Sequence, residues 1–199
     1  GTGPTQRGAN ALLPTGAFAL AYAMLSTIQV DYGLTENQIA SLMLYNTLTS
    51  AVGCIIGGML GDRFGKKKVV AIAYFLTTLP TLALGLQISS LGLQSVPLAQ
   101  LYGIVIIHGL FFGMAFGVRN AIFMGMTNPA VAATQFTAFM AMSNLAISFG
   151  NFWQGYVAER MDYSTVLYLD SLLGLLVIAI IPFLRNREKM PANAEPVPS

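Results

Sequence analysis

His108 and Arg119 are the side chains in this sequence best suited to handling a proton or an anionic group, and they lie eleven residues apart. On a helix that is three turns, so both project from one face about 16 Å apart along the axis, with Phe112 and Ala115 between them. A guanidinium offers a planar fork of donors that matches a carboxylate or phosphate; the alternative for Arg119 is a stem that snorkels to a polar boundary. An imidazole changes charge near physiological pH and can relay a proton; the alternative for His108 is a hydrogen-bonded structural role. Other polar residues recur at helical spacing. Thr15, Tyr22, Ser26 and Gln29 are seven, four and three apart, and Thr137, Asn144, Ser148 and Asn151 repeat that spacing, with Gly155 continuing it. The first stripe reads as the lining of a cavity. The second reads equally as cavity lining or as hydrogen-bonded glue between helices. Tyr22, Gln29, His108, Arg119, Asn144 and Asn151 are therefore the candidate solute contacts.

Catalysis is a poor fit. An intramembrane enzyme needs paired carboxylates or a histidine cluster, whereas this chain has one His and one Cys, Cys54. A single cysteine also excludes an internal disulfide framework and a multi-cysteine metal site. No cofactor and no metal are expected.

The elements that must position these residues follow from composition. Of 199 residues, 55% are hydrophobic and 9% charged, roughly a third of the charge a soluble domain carries. The net charge of +2 is too small for a nucleic-acid surface. A polytopic, all-α membrane protein remains. Crossing the hydrocarbon core takes about 20 apolar residues in a helix, and the runs free of Asp, Glu, Lys and Arg divide at "QISSLGLQSVPLAQ" and at Thr127–Pro129, where Ser, Gly and Pro mark loops. The result is six transmembrane helices near 12–31, 37–61, 69–88, 99–126, 132–158 and 164–184. They are flanked by an N-terminal segment, 1–11, and a Pro-rich, disordered tail, 185–199. The first run is longer than a signal-peptide core and a second span follows at once, so it reads as a span. Helix two carries Asn46, Ser50, Gly53 and Gly57 on one face, a packing seam first and a binding site second, and is expected with helix five to form the interface with the other half. Helix four carries Gly109, Gly113 and Gly117, a small-xxx-small run. Helices three and six are nearly all apolar and read as lipid-facing supports. No carboxylate is expected in a span interior, since Asp170 falls near the outer end of helix six.

Charge orients the bundle. With the N-terminus inside, Arg7, the loop Arg63–Lys68 and the tail with Arg185, Arg187 and Lys189 place eight of the ten basic residues in the cytosol, as the positive-inside rule requires. The outer loops carry Asp31, Glu36, Glu159 and Asp162. Both termini are expected to be cytoplasmic, in a multi-pass protein of the inner or plasma membrane. Trp153 and Tyr156 suit an interfacial belt.

Between helices two and three runs "GGMLGDRFGKKKVV". Gly58 and Gly61 permit close approach, Gly65 a turn at positive φ, and Asp62 and Arg63 place opposite charges at the membrane edge. The spacing Gly-x-x-x-Asp-Arg-x-Gly resembles the signature loop of the major facilitator superfamily, which joins helices two and three of a six-helix half. The matching positions are Gly58, Asp62, Arg63, Gly65, Lys66 and Lys67; lysine at the last two, where the family often has arginine, is a departure. The resemblance implies one half of a facilitator fold, with Asp62 and Arg63 gating the conformational change. The stretch from Phe116 to Arg160, through "ATQF" (Ala133–Phe136) and "SNL" (Ser143–Leu145), is similar to the tenth-to-eleventh helix region of the peptide/acetyl-coenzyme A/drug transporter group, which includes muropeptide permeases. That likeness implies helices seven to twelve, the C-terminal half; the rival is a first half, helices one to six. A chain that starts with Gly and ends in a polar tail after its sixth helix is expected to be a fragment, partnered by a missing N-terminal half or a second copy. The expected function is alternating-access transport of a small polar or anionic solute, coupled to protons as a symporter. The alternative is a non-transporting scaffold or regulatory half. Membrane lipid, the solute and a second half are the expected partners.

Overall fold

A computed structural model describes residues 19–127 and 131–180. Among the described residues, six α-helices follow a 3₁₀ turn at Ala19–Ala21: α1 (Ala23–Tyr32), α2 (Glu36–Phe64), α3 (Lys66–Leu91), α4 (Leu98–Met126), α5 (Ala132–Arg160) and α6 (Tyr163–Ile180). There is no strand among the described residues. α2, α3 and the Leu98–Gly125 stretch of α4 are each long and apolar enough to cross a membrane. α5 matches them in length, but its Thr, Gln, Asn and Ser residues dilute its apolar character.

Local chemistry fixes the ends. Thr35 and Gln38 form a capping box at the start of α2: the Gln38 amide donates to Thr35 Oγ1 at 3.4 Å and the Thr35 amide to Gln38 Oε1 at 2.9 Å, satisfying two N-terminal donors. Gly65 alone separates α2 from α3, at φ 94°, a conformation in which a Cβ would be strained. The expected tight turn is there.

The helices alternate in direction. At one end Tyr32 donates to the Val96 carbonyl at 2.7 Å and Tyr163 to the Asp31 carboxylate, joining the α1–α2, α3–α4 and α5–α6 connections. The Gly65 turn and its lysines lie at the other end.

α2 and α4 make the most intimate contact. A methyl at Gly53 would strike the Leu110 carbonyl, at Gly57 the Met114 backbone, at Gly109 the Asn46 side chain, and at Gly113 the Ser50 carbonyl. The small stripes predicted on helices two and four thus meet each other. Gly58 makes no such approach, since nothing lies within 4 Å of a Cβ there; the glycines that bring backbones together lie on the other side of α2.

Two expectations are corrected. α3 is not a peripheral support: Val69, Ala73, Tyr74, Thr77, Thr81 and Leu84 are all buried, because it packs against both α4 and α6. Its buried hydroxyls are accommodated by its own backbone, Thr77 donating to the Ala73 carbonyl at 2.7 Å and Thr81 to the Thr77 carbonyl at 3.2 Å. Helix one is not one continuous helix through Tyr22: this residue has φ −132° and ψ −144°, outside the helical region. Residues 1–18 and 181–199, with the tail and the helix limits predicted there, lie outside the described residues.

Among the described residues two large apolar clusters fill the interior, and a smaller one joins Phe123 of α4 to Phe139 of α5. Leu20, Leu25, Ile28, Leu42, Leu101 and Leu167 belong to the one toward the Tyr163 end. Val69, Tyr74, Met114, Ala115 and Val118 belong to the one toward the Gly65 end.

Candidate functional site

α4 runs between the two clusters and carries the polar column. His108 is fully buried, and neither ring nitrogen has a hydrogen-bond partner among the described residues. Its ring stacks on Phe112 at 6.1 Å and 11°. Phe112 in turn contacts Phe116 at 6.0 Å and receives the Tyr22 ring edge-on at 6.0 Å. Arg119 closes the column. Its guanidinium carbon lies 5.0 Å from the Phe116 ring centre and 5.9 Å from that of Phe123, distances at which a cation is attracted to a ring face.

Arg119 is only 4% exposed. A snorkelling arginine leaves its head group accessible; this one is folded inward. The Tyr74 phenol is in hydrogen-bonding contact with the Arg119 side chain and the Tyr22 phenol sits within its electrostatic reach, while Nε has no hydrogen-bond partner among the described residues. None of the described carboxylates pairs with it within 4 Å. Buried charges are normally paired, so this cation, walled by aromatic rings and phenols, is chemically suited to a flat or small anion.

The other predicted contacts divide. Gln29 is buried, with Nε2 lacking a partner among the described residues. Ser26, on the same predicted stripe, is exposed, and Thr15 lies outside the described residues. Ser26 and Gln29 both lie on α1, where only Gln29 turns inward, and Tyr22, at the non-helical junction before α1, does not share their phase. Asn144 and Ser148 are exposed and Asn151 is half-buried, so the α5 stripe points away from the α4 column. The structure therefore brings together Tyr22, His108 and Arg119, but not Asn144 and Asn151.

In the loop motif, Asp62, Arg63 and Gly65 are exposed, whereas Gly58, Lys66 and Lys67 are half-buried. Arg63 lies 5.4 Å from the Phe64 ring centre. Neither Asp62 nor Arg63 forms an ion pair within 4 Å among the described residues.

A further buried ionisable group lies outside the α4 column. Asp170 is 1% exposed, eight residues into α6, and accepts from Gln154 Nε2 at 2.9 Å and from the Ala19 amide at 3.1 Å. The sequence places this carboxylate near the outer end of helix six, and there it is buried inside the bundle rather than facing the boundary. The available signal was its isolation in an otherwise charge-free run, because an ionisable residue at such a position is functional by default. Tyr74 was missed, being hidden in a helix without polar periodicity.

A buried cation among aromatic rings, in an all-helical bundle with a Gly-x-x-x-Asp-Arg-x-Gly turn, is an arrangement suited to moving solutes across membranes. A sequence model of the Major Facilitator Superfamily matches residues 8–199, and the chain belongs to that family. It is also similar to the 4-hydroxybenzoate transporter PcaK of Pseudomonas aeruginosa, with 24% identity over 153 residues, 77% of this chain and 32% of that protein. The chain thus spans about a third of the length of this curated relative.

Proposed function

We propose that this chain forms one six-helix half of a facilitator carrier and supplies the cationic contact for a small organic anion. The observation that carries the reading is Arg119: a buried guanidinium flanked by Phe116 and Phe123, in reach of two phenols, with no carboxylate partner among the described residues. Aromatic carboxylates suit this surface best, because the carboxylate takes the guanidinium fork and the ring lies among rings. The relative that transports 4-hydroxybenzoate agrees in solute chemistry. Tyr22, Gln29 and His108 complete the solute-facing set, and Asn144 and Asn151 face a second half or the cavity between halves. Rocking of the two halves about a midplane site gives alternating access, with the Gly58–Lys67 loop as the gate.

The similarity of residues 116–160 to the muropeptide-permease group supports assignment as the C-terminal half, helices seven to twelve. Residues 12–184 form the membrane bundle, with segments 1–11 and 185–199 and the Lys66–Lys68 loop in the cytosol, as the excess of Lys and Arg at that end favours. Proton symport is the proposed energy source, and the inner or plasma membrane the location.

Uptake by the full-length protein in proteoliposomes tests the site, with radiolabelled 4-hydroxybenzoate and a panel of aliphatic carboxylates as probes. Losing a charge-assisted bond of about 1.5–3 kcal/mol, Arg119→Gln is expected to lower uptake at least tenfold, while Arg119→Lys retains part of it. Unchanged kinetics in Arg119→Gln would remove the residue from the site.

A further inference from the structure

Asp170 lies outside the solute column yet is tied to it. Its Oδ2 accepts the backbone amide of Ala19, 151 positions away in sequence, and its Oδ1 accepts the side-chain amide of Gln154 on α5. The carboxylate therefore joins three elements: α6, α5 and the 3₁₀ turn Ala19–Ala21. That turn is wedged into the bundle, with Ala19 and Leu20 fully buried, and it packs against both α4 and α6.

Tyr22 follows directly. It sits at the junction of two elements: its dihedrals are non-helical, its carbonyl accepts from the Leu25 amide at 3.1 Å, and the buried turn immediately before it sets where the chain enters α1. Its ring meets Phe112 edge-on and its phenol senses Arg119. A short covalent path thus leads from the Asp170 hydrogen bond to the aromatic wall around the guanidinium. A carboxylate costs several kcal/mol to bury even when bonded. A clamp serving stability alone would be met at lower cost by apolar packing of the same shape.

We propose that Asp170 is a positioning residue for the solute site: by holding the Ala19 amide it docks the Ala19–Ala21 turn, and with it Tyr22, against the Arg119 face of α4. The proposal rests on the reading of Arg119 and Tyr22 as solute contacts. The competing role is a structural clamp between α5 and α6 through Gln154.

Two measurements on the full-length protein separate these roles. The first is hydrogen–deuterium exchange over residues 19–24, which needs no solute. Asp170→Ala removes both acceptors and is expected to raise exchange there. Asp170→Asn keeps an oxygen for Ala19 and, with the Gln154 amide turned over, a donor for its oxygen, so protection is retained. Ala19→Pro deletes the same donor from the opposite side, at a position where a helical turn tolerates proline. It serves where Asp170→Ala fails to assemble. Unchanged exchange in the assembled variant would overturn the proposal, whatever the solute.

The second is uptake kinetics in proteoliposomes, with 4-hydroxybenzoate as the solute. Asp170→Ala and Ala19→Pro are expected to raise KM about tenfold, the equivalent of one mispositioned hydrogen-bonding contact, with a smaller change in maximal rate. Gln154→Ala and Asp170→Asn should stay near wild type. In a Tyr22→Phe background the effect of Asp170→Ala should largely vanish, as expected for residues acting through one another. Should Gln154→Ala match Asp170→Ala, or the KM effect persist undiminished in Tyr22→Phe, the clamp role would be correct. Absence of uptake by the wild-type protein would instead count against the carrier reading, leaving the exchange experiment to decide the docking.

Discussion

α2 and α5 carry much the same kind of stripe and meet opposite fates. On α2, Asn46, Ser50, Gly53 and Gly57 recur at helical spacing; on α5, Thr137, Asn144, Ser148 and Asn151 do so. The α2 stripe is pressed against α4 so closely that side chains cannot be added at either surface. The α5 stripe is largely exposed, beside Leu145, Phe149 and Phe152, which are about 70% exposed. The difference lies in the neighbour. α4 presents Gly109, Gly113 and Gly117 in register, so two small surfaces interlock and gain packing along their whole length. No helix among the described residues offers α5 a matching surface. A polar stripe therefore reports a surface awaiting contact, and only the facing helix decides whether that contact is internal.

The seam carries the largest expected effect. Gly113→Leu places a branched side chain against the Ser50 carbonyl, which belongs to a helix backbone and cannot yield. Overpacking of this kind costs 1–3 kcal/mol in side-chain cores and more against backbone, so a loss of roughly 3 kcal/mol or more is expected. Thermal unfolding in detergent, followed by size-exclusion fluorescence, should show a large fall in Tm and in monodisperse yield. A wild-type profile would mean that the α2–α4 contact is looser than described, and the contrast with α5 would collapse.

Much of the architecture could be read before folding. Charge-free apolar runs located helices two to five to within about three residues of Glu36–Phe64, Lys66–Leu91, Leu98–Met126 and Ala132–Arg160, because water-facing loops collect charge, Gly and Pro. The seam and the His108–Arg119 column were legible because a single unbroken helix preserves angular phase. Three features were not. The Tyr22 stripe assumed a phase that the backbone abandons at that residue. The burial of α3 left no trace, since a helix apolar all round shows no preferred face and its threonines satisfy themselves internally. The depth of Asp170 depends on where the chain meets water at the Tyr163 end, and on an amide 151 positions away, neither of which is encoded locally.

A smaller effect probes how the seam ends. Beyond the glycines, Tyr102 on α4 donates to the Gln38 carbonyl at 2.8 Å and lies 3.1 Å from the Ser41 hydroxyl. Side-chain hydrogen bonds take over there from backbone contact. Tyr102→Phe keeps the ring and removes these bonds, so a loss of about 1 kcal/mol is expected, visible as a modest drop in Tm. A drop as large as that of Gly113→Leu would show that polar clamps, rather than close backbones, hold α2 to α4.

The smallest effect on stability belongs to α5. Asn144 is exposed, so Asn144→Phe has room among the described residues, and its stability change should stay within about 0.5 kcal/mol. Function is expected to respond differently. A stripe facing a second half or the cavity between halves must slide or stay wetted during each cycle, and a phenyl group there obstructs both. Proteoliposome uptake should therefore fall severalfold while Tm holds. Were Tm to fall in step with uptake, α5 would be packed like α2 and the two helices would differ in degree only. Were neither to change, the stripe would face lipid, and the polar residues of α5 would be decoration on a surface that nothing in the transport cycle touches.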